Sequence, residues 1–183
     1  ERILEIAKGN ARIAILASVI AKNNNSLDSI NDVSQLYDDY YTKVLENEQF
    51  TIDDEMLKSL GMIAFLDVIH MDQMDYVYDF LTPYSVNRDR FIECIYKLHE
   101  HEIVDICNDK VVRISDQCLS NYLLKVTFFD KKLLSLSDAV KVVFEKNKEK
   151  TVMAINALLS VFRNESLYDF VETEIRKLWD NLK

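Results

Sequence analysis

Apolar residues recur at helical spacing near the start of the chain, with Ile13, Leu16 and Ile20 in one row and Ala14, Ala17 and Ala21 beside it. Asn10 stands where it can cap that helix, and Gly9 where it can end one running from Glu1 to Lys8. Asn23-Asn24-Asn25-Ser26 reads as a loop. Asp32 then caps a further predicted helix carrying Val33, Leu36, Tyr37, Tyr40, Tyr41, Val44 and Leu45. Residues 1–48 are thus predicted to form a small helical domain.

From Thr51 the pattern resumes. Asp53-Asp54-Glu55 suits the positive end of a helix dipole, and Met56, Leu57, Leu60, Ile63, Ala64 and Leu66 supply a buried face. A second helix, predicted to be capped by Asp72, runs to about Leu81 and stops before Pro83. A third begins around Ser85 to Asn87 and carries Phe91, Ile92, Ile95, Tyr96 and Leu98. The period then changes. Ile103-Val104-Asp105-Ile106 and Val111-Val112-Arg113-Ile114 flank the turn residues Asn108-Asp109, which predicts a β-hairpin. Three helices followed by a hairpin is the order of a winged helix, over residues 49–130, and Ser115-Asp116 can cap a further helix with Leu119, Tyr122, Leu123 and Val126. Residues 131–183 are predicted as a C-terminal helical segment with starts near Ser137-Asp138, Thr151 and Asn164. The predicted fold class is mainly α.

Composition sharpens this picture. Two glycines and one proline leave few residues for tight turns, so long helices with polar loops are favoured over multi-stranded sandwiches. A net charge of -9 disfavours attraction to nucleic acid phosphates or an anionic membrane surface. Cys94, Cys107 and Cys118 are an odd, widely spaced set that suits a reducing compartment, which makes the cytoplasm the expected location. The apolar run Ile13 to Ala21 is too short to span a bilayer. Asn24-Asn25-Ser26 and Asn164-Glu165-Ser166 fit the glycosylation pattern but matter only in a secreted chain. The chain opens on Glu1 within a helical pattern, which leads to the expectation that it is part of something longer.

Ala7-Lys8-Gly9-Asn10-Ala11-Arg12-Ile13-Ala14 is similar to the sensor-2 pattern of AAA+ ATPases and to the lid motif of STAND-type NTPases, the branch that includes NACHT and NB-ARC proteins. Leu60-Gly61-Met62-Ile63-Ala64-Phe65, and Leu98 to Asp105 leading into Val112-Arg113-Ile114-Ser115-Asp116-Gln117, resemble the winged-helix region that follows that lid in large bacterial STAND ATPases. The resemblance covers about the first 125 residues. It implies that Gly9 and Asn10 bring a helix start close to nucleotide, and that Arg12 reaches the terminal phosphate as a charge-assisted donor. Many STAND proteins carry proline where Ala11 stands. Whether Arg12 senses phosphate or braces the lid is left open, as is the plainer reading of Gly9 as a helix stop, Asn10 as a cap and Arg12 as an exposed first-turn residue.

The resemblance further implies ATP or ADP with Mg²⁺ in a full-length parent, a nucleotide-binding domain of the same chain as partner, and homo-oligomerisation on activation. It also suggests signal transduction in bacterial antiviral defence. Neither Gly9 nor Gly61 belongs to a P-loop, so no hydrolysis and no tight nucleotide binding are expected of this chain alone. From Thr51 to Ile114 there are thirteen acids against six bases, and Arg88, Arg90 and Lys97 are interleaved with Asp89, Glu93 and Glu100. That distribution argues for a protein-contact module over DNA recognition. The alternatives are the lid and winged helix of a DNA-directed AAA+ ATPase, or a helical adaptor with no nucleotide connection.

Weaker candidates complete the reading. Cys94, His99, His101 and Cys107 lack a short Cys-x-x-Cys pair, so a zinc site is not expected. Asp72, Asp75 and Asp79 share a predicted helix face but have no basic or histidine partner at matching spacing. Some STAND winged helices use a histidine against the β-phosphate of ADP, and His70 and His99 are the nearest here, without a matching motif.

Overall fold

The computed structural model describes residues 2–7, 9–24, 30, 32–45 and 50–181, in which there are ten α-helices and three β-strands. The chain divides into two compact units, Glu1–Thr51 and Ile52–Lys183.

The first unit consists of α1 (Arg2–Ala7), α2 (Ala11–Asn24) and α3 (Val33–Leu45). Gly9 takes the left-handed conformation (φ 86°) after α1, which a residue without a Cβ adopts without strain. Ile6 and Ala7 of α1, Ile13, Leu16, Ala17 and Ile20 of α2, and Leu36, Tyr37 and Tyr41 of α3 are buried together. The Arg2 guanidinium donates to the Ile30 carbonyl at 2.8 Å. Asp32 accepts from the Gln35 N–H at 3.0 Å, the capping role its position predicts. Helix α2 runs on through Asn23 and Asn24, where a loop is predicted. Lys8, Asn25, Ser26 and the predicted boundary at residue 48 lie outside the described residues.

The second unit is built around α4 (Asp54–Leu66), which is buried along almost its whole length, as a helix at the centre of a domain must be. It is followed by β1 (Val68–His70), α5 (Asp75–Leu81), one 3₁₀ turn (Thr82–Tyr84), α6 (Arg88–Glu100), β2 (Val104–Cys107) and β3 (Val111–Ile114). The three strands form an antiparallel sheet in the order β1-β3-β2, with Ile69 opposite Val112 and Asp105 opposite Arg113. Cys107 pairs with Val111 across a three-residue loop, in which Asn108 and Asp109 both have positive φ, 53° and 55°, and the Lys110 N–H donates to the Cys107 carbonyl. This element and strand order is that of a winged helix, with β2–β3 as the wing.

Three details differ from the sequence reading. Strand β1 is additional to the predicted hairpin: Asp67 ends α4 in a positive-φ conformation, and Val68-Ile69-His70 is too short for alternation to show. Asp72 does not cap α5, which begins at Asp75 behind Met74 with no side-chain cap. The helices predicted to start near Ser137-Asp138 and Thr151 begin earlier, since Ser135 and Asn147 are their caps, whereas the last one begins behind Asn164 as predicted.

After β3, α7 (Gln117–Leu124), capped by Asp116, continues into a π-helical turn (Lys125–Asp130). Then come α8 (Leu136–Lys146), α9 (Lys148–Phe162) and α10 (Glu165–Asn181). These C-terminal helices belong to the same compact unit as the winged helix. The π turn packs where α4 has Gly61, and a Cβ there would lie 2.5 Å from Thr127 Oγ1. Phe128 is buried against Phe65 with ring centroids 5.5 Å apart. Burial of such side chains contributes about 1.5–3 kcal/mol each.

Candidate functional site

The sequence-predicted site, Gly9, Asn10 and Arg12, occupies the start of α2. Asn10 Oδ1 accepts from the N–H groups of Arg12 (3.0 Å) and Ile13 (3.3 Å), while the Asn10 N–H donates to the Ala7 carbonyl at 2.8 Å. Asn10 is therefore the cap of α2, and two of the helix's first N–H groups are already satisfied by its side chain. Among the described residues, nothing lies within 4 Å of the place where a Cβ on Gly9 would stand. Gly9, Asn10 and Arg12 are all exposed.

Arg12 shares its face of α2 with Ile15 and Val19, both large apolar residues in contact with solvent, and with Lys22. Ile15 is 62% exposed and Val19 38%. Helix α2 holds two cations and no acid. The first unit thus offers a helix start, an arginine and an apolar stripe on one face of α2.

In the second unit the question is what α6 presents, because this is the helix that enters the major groove in DNA-binding winged helices. Its cations are engaged within the protein. Arg90 donates from Nε to Glu55 Oε2 and from Nη2 to Asp53 Oδ2, both at 2.6 Å, and Nη1 lies 3.1 Å from Glu93 Oε2. Glu55, Glu93 and Asp53 hold the guanidinium firmly protonated, and Lys97 together with Arg90 holds the Glu93 carboxyl below its ordinary range. Lys97 reaches Glu93 at 2.6 Å, and Arg88 lies over the Tyr78 ring, 5.3 Å from its centroid. Arg113 of the wing pairs with Asp105 at 3.1 Å, and Lys58 of α4 donates to the Tyr84 carbonyl at 2.9 Å. The caging of Arg90 was not anticipated, because its partners Glu55 and Asp53 stand 35 and 37 positions away.

The other candidates are dispersed. Cys94 is buried beneath α6, and burial pushes its thiol up. His99 Nδ1 lies 2.8 Å from the Val104 carbonyl, closing the junction between α6 and β2, while Cys107 is exposed at the hairpin and His70 sits at the outer end of β1. Among the described residues no group of three or more His, Cys, Asp or Glu is gathered closely enough to hold a metal ion. Asp72 lies outside α5, so it does not share a helix face with Asp75 and Asp79. Among the described residues, too, no helix is long and apolar enough to cross a membrane. Comparisons with protein-family models, with curated proteins and with solved structures found no match to this chain.

Proposed function

We propose that this chain is the regulatory arm, lid plus winged helix, of a STAND-type signalling ATPase that switches on exchange of ADP for ATP, and that Arg12 is its contact to the nucleotide phosphates. The observation that carries the reading is the start of α2. An α2 start capped by Asn10 and an exposed Arg12 stand on the same side as the exposed apolar residues Ile15 and Val19. A nucleotide-bearing core laid against that side would cover the apolar stripe and bring phosphate to the positive helix end. Catalytic groups and Mg²⁺ belong to that core, since this chain has no P-loop.

The second unit supports an intramolecular, protein-facing role. A winged helix that binds DNA needs cations free to neutralise phosphates, each released counterion steepening the salt dependence. Here Arg88, Arg90, Lys97 and Arg113 are spent on Tyr78, on carboxylates of α4 and α6, and on Asp105. The winged helix in this reading is a latch that holds the nucleotide core closed and swings when ATP replaces ADP. Antiviral defence in a bacterial cytoplasm is the setting that goes with it.

Two observations test the reading. The residues that precede this chain in its gene are expected to encode a P-loop, and a gene lacking one would leave the helical adaptor. Titration of the chain with duplex DNA at rising salt is expected to give no salt-dependent affinity. A steep fall of measurable affinity with salt would instead make it part of a DNA-directed ATPase.

A further inference from the structure

The first turn of α8 is the meeting point of three elements. Tyr84, in the 3₁₀ turn just ahead of α6, accepts from the Ser135 N–H at 3.2 Å and donates its hydroxyl proton to Asp138 Oδ2 at 3.1 Å. From the opposite side, Glu174 of α10 accepts from Ser137 Oγ at 2.9 Å and from the Ser137 N–H at 3.3 Å, and it is held by Lys177. Ser135 Oγ lies 3.0 Å from Ser137 Oγ and accepts from the Asp138 N–H at 3.2 Å.

The protons on these hydroxyls have only one consistent arrangement. Ser137 gives its proton to the carboxylate, so Ser135 must give its own to Ser137. Tyr84 is committed to Asp138. At the far end the Tyr84 carbonyl accepts from Lys58 of α4 at 2.9 Å. Glu174 is only 7% exposed, so a carboxylate that lost these donors would be buried and unsatisfied.

We propose that this first turn of α8 is a joint that couples α10 to the α4–α6 part of the winged helix, through the polar chain Lys177, Glu174, Ser137, Ser135, Tyr84 and Lys58. Moving α10 withdraws the carboxylate from Ser137, disturbs the first turn of α8, and loosens Tyr84 and the start of α6 four residues beyond it. The coupling goes beyond the nucleotide reading and does not depend on it.

Hydrogen exchange on the 183-residue chain tests it. Glu174→Gln removes the charge and places a donor where two donors already point. It is expected to speed exchange about three- to tenfold in the 82–90 segment as well as in α8 and α10. Tyr84→Phe added to it should give little further change there, because one path cannot be broken twice. Ser137→Ala, which removes only the middle hydroxyl, should act as Glu174→Gln does, and it decides the matter if the glutamine variant does not fold. Tyr168→Phe, which breaks a bond from α10 to the Leu159 carbonyl off this path, should leave segment 82–90 unchanged. The proposal is overturned if loosening stays within α8 and α10, if the double variant is additive, or if Tyr168→Phe loosens 82–90 equally.

Discussion

Gly61 shows how far a single residue is fixed by its surroundings. With Thr127 Oγ1 2.5 Å and Thr127 Cβ 2.8 Å from the site of an added Cβ, neither α4 nor the π turn has room for a methyl group. Gly61→Ala is expected to lower stability by about 1–3 kcal/mol in a denaturant melt, and Thr127→Ala in the same chain to restore part of the loss. Asn10→Ala is expected to cost the first unit about 1 kcal/mol through the lost cap. The caps at Asn10, Asp32 and Asp116 were legible in the sequence because the bond spans two or three residues, and Asn87 caps α6 within the entry predicted from Ser85 to Asn87. Asp72 misled for a related reason: a side chain of the right type stood near the right place, but Asp72 itself lies in a turn closed by the Gln73 N–H to the His70 carbonyl, and the helix begins only at Asp75. The cage around Arg90 could not be read, because nothing local brings Asp53 and Glu55 to it. Arg90→Ala would leave three carboxylates facing one another, and its destabilisation is expected to shrink with added salt, measured as the midpoint difference at low and high ionic strength.

Among the elements, helix existence was the most legible feature and β1 the least. Apolar rows such as Met56, Leu60, Ile63 and Leu66 announce a buried helix, whereas a three-residue strand has no period to read. The π turn is equally hidden, since it arises from how Thr127 and Phe128 meet α4. The contact between α8 and α10 carries a pH prediction. Burial alone would raise the Glu174 carboxyl, but the Lys177 ammonium and the Ser137 hydroxyl and N–H outweigh it and hold the group below its ordinary 4.5. Its contribution is therefore complete above that value and is lost as pH falls through the depressed folded-state value. The stability difference between the native chain and Glu174→Gln should stay constant from neutral pH down to about 5 and diminish only below 4.5, a course that urea melts across pH would follow. Burial keeps the Tyr84 phenol above its ordinary 10, so the proton it gives Asp138 is present throughout that range.

For the whole molecule, the mainly helical class and the winged-helix order were legible, whereas the packing of the C-terminal helices into one unit with the winged helix was not, because it rests on side chains far apart in sequence. The candidate site was legible only as a short motif, Gly9 to Arg12. The structure adds the Asn10 cap and the exposed Ile15 and Val19 beside it. The central claim is that Arg12 reads the nucleotide held by a core outside this chain. It is tested most directly by ATP-induced assembly of the full-length protein, followed by size-exclusion light scattering, in native, Arg12→Ala and Lys22→Ala forms. Native protein and Lys22→Ala are expected to assemble with ATP and not with ADP, and Arg12→Ala to stay unassembled with both. Assembly of Arg12→Ala with ATP to the same extent as the native protein would contradict the account.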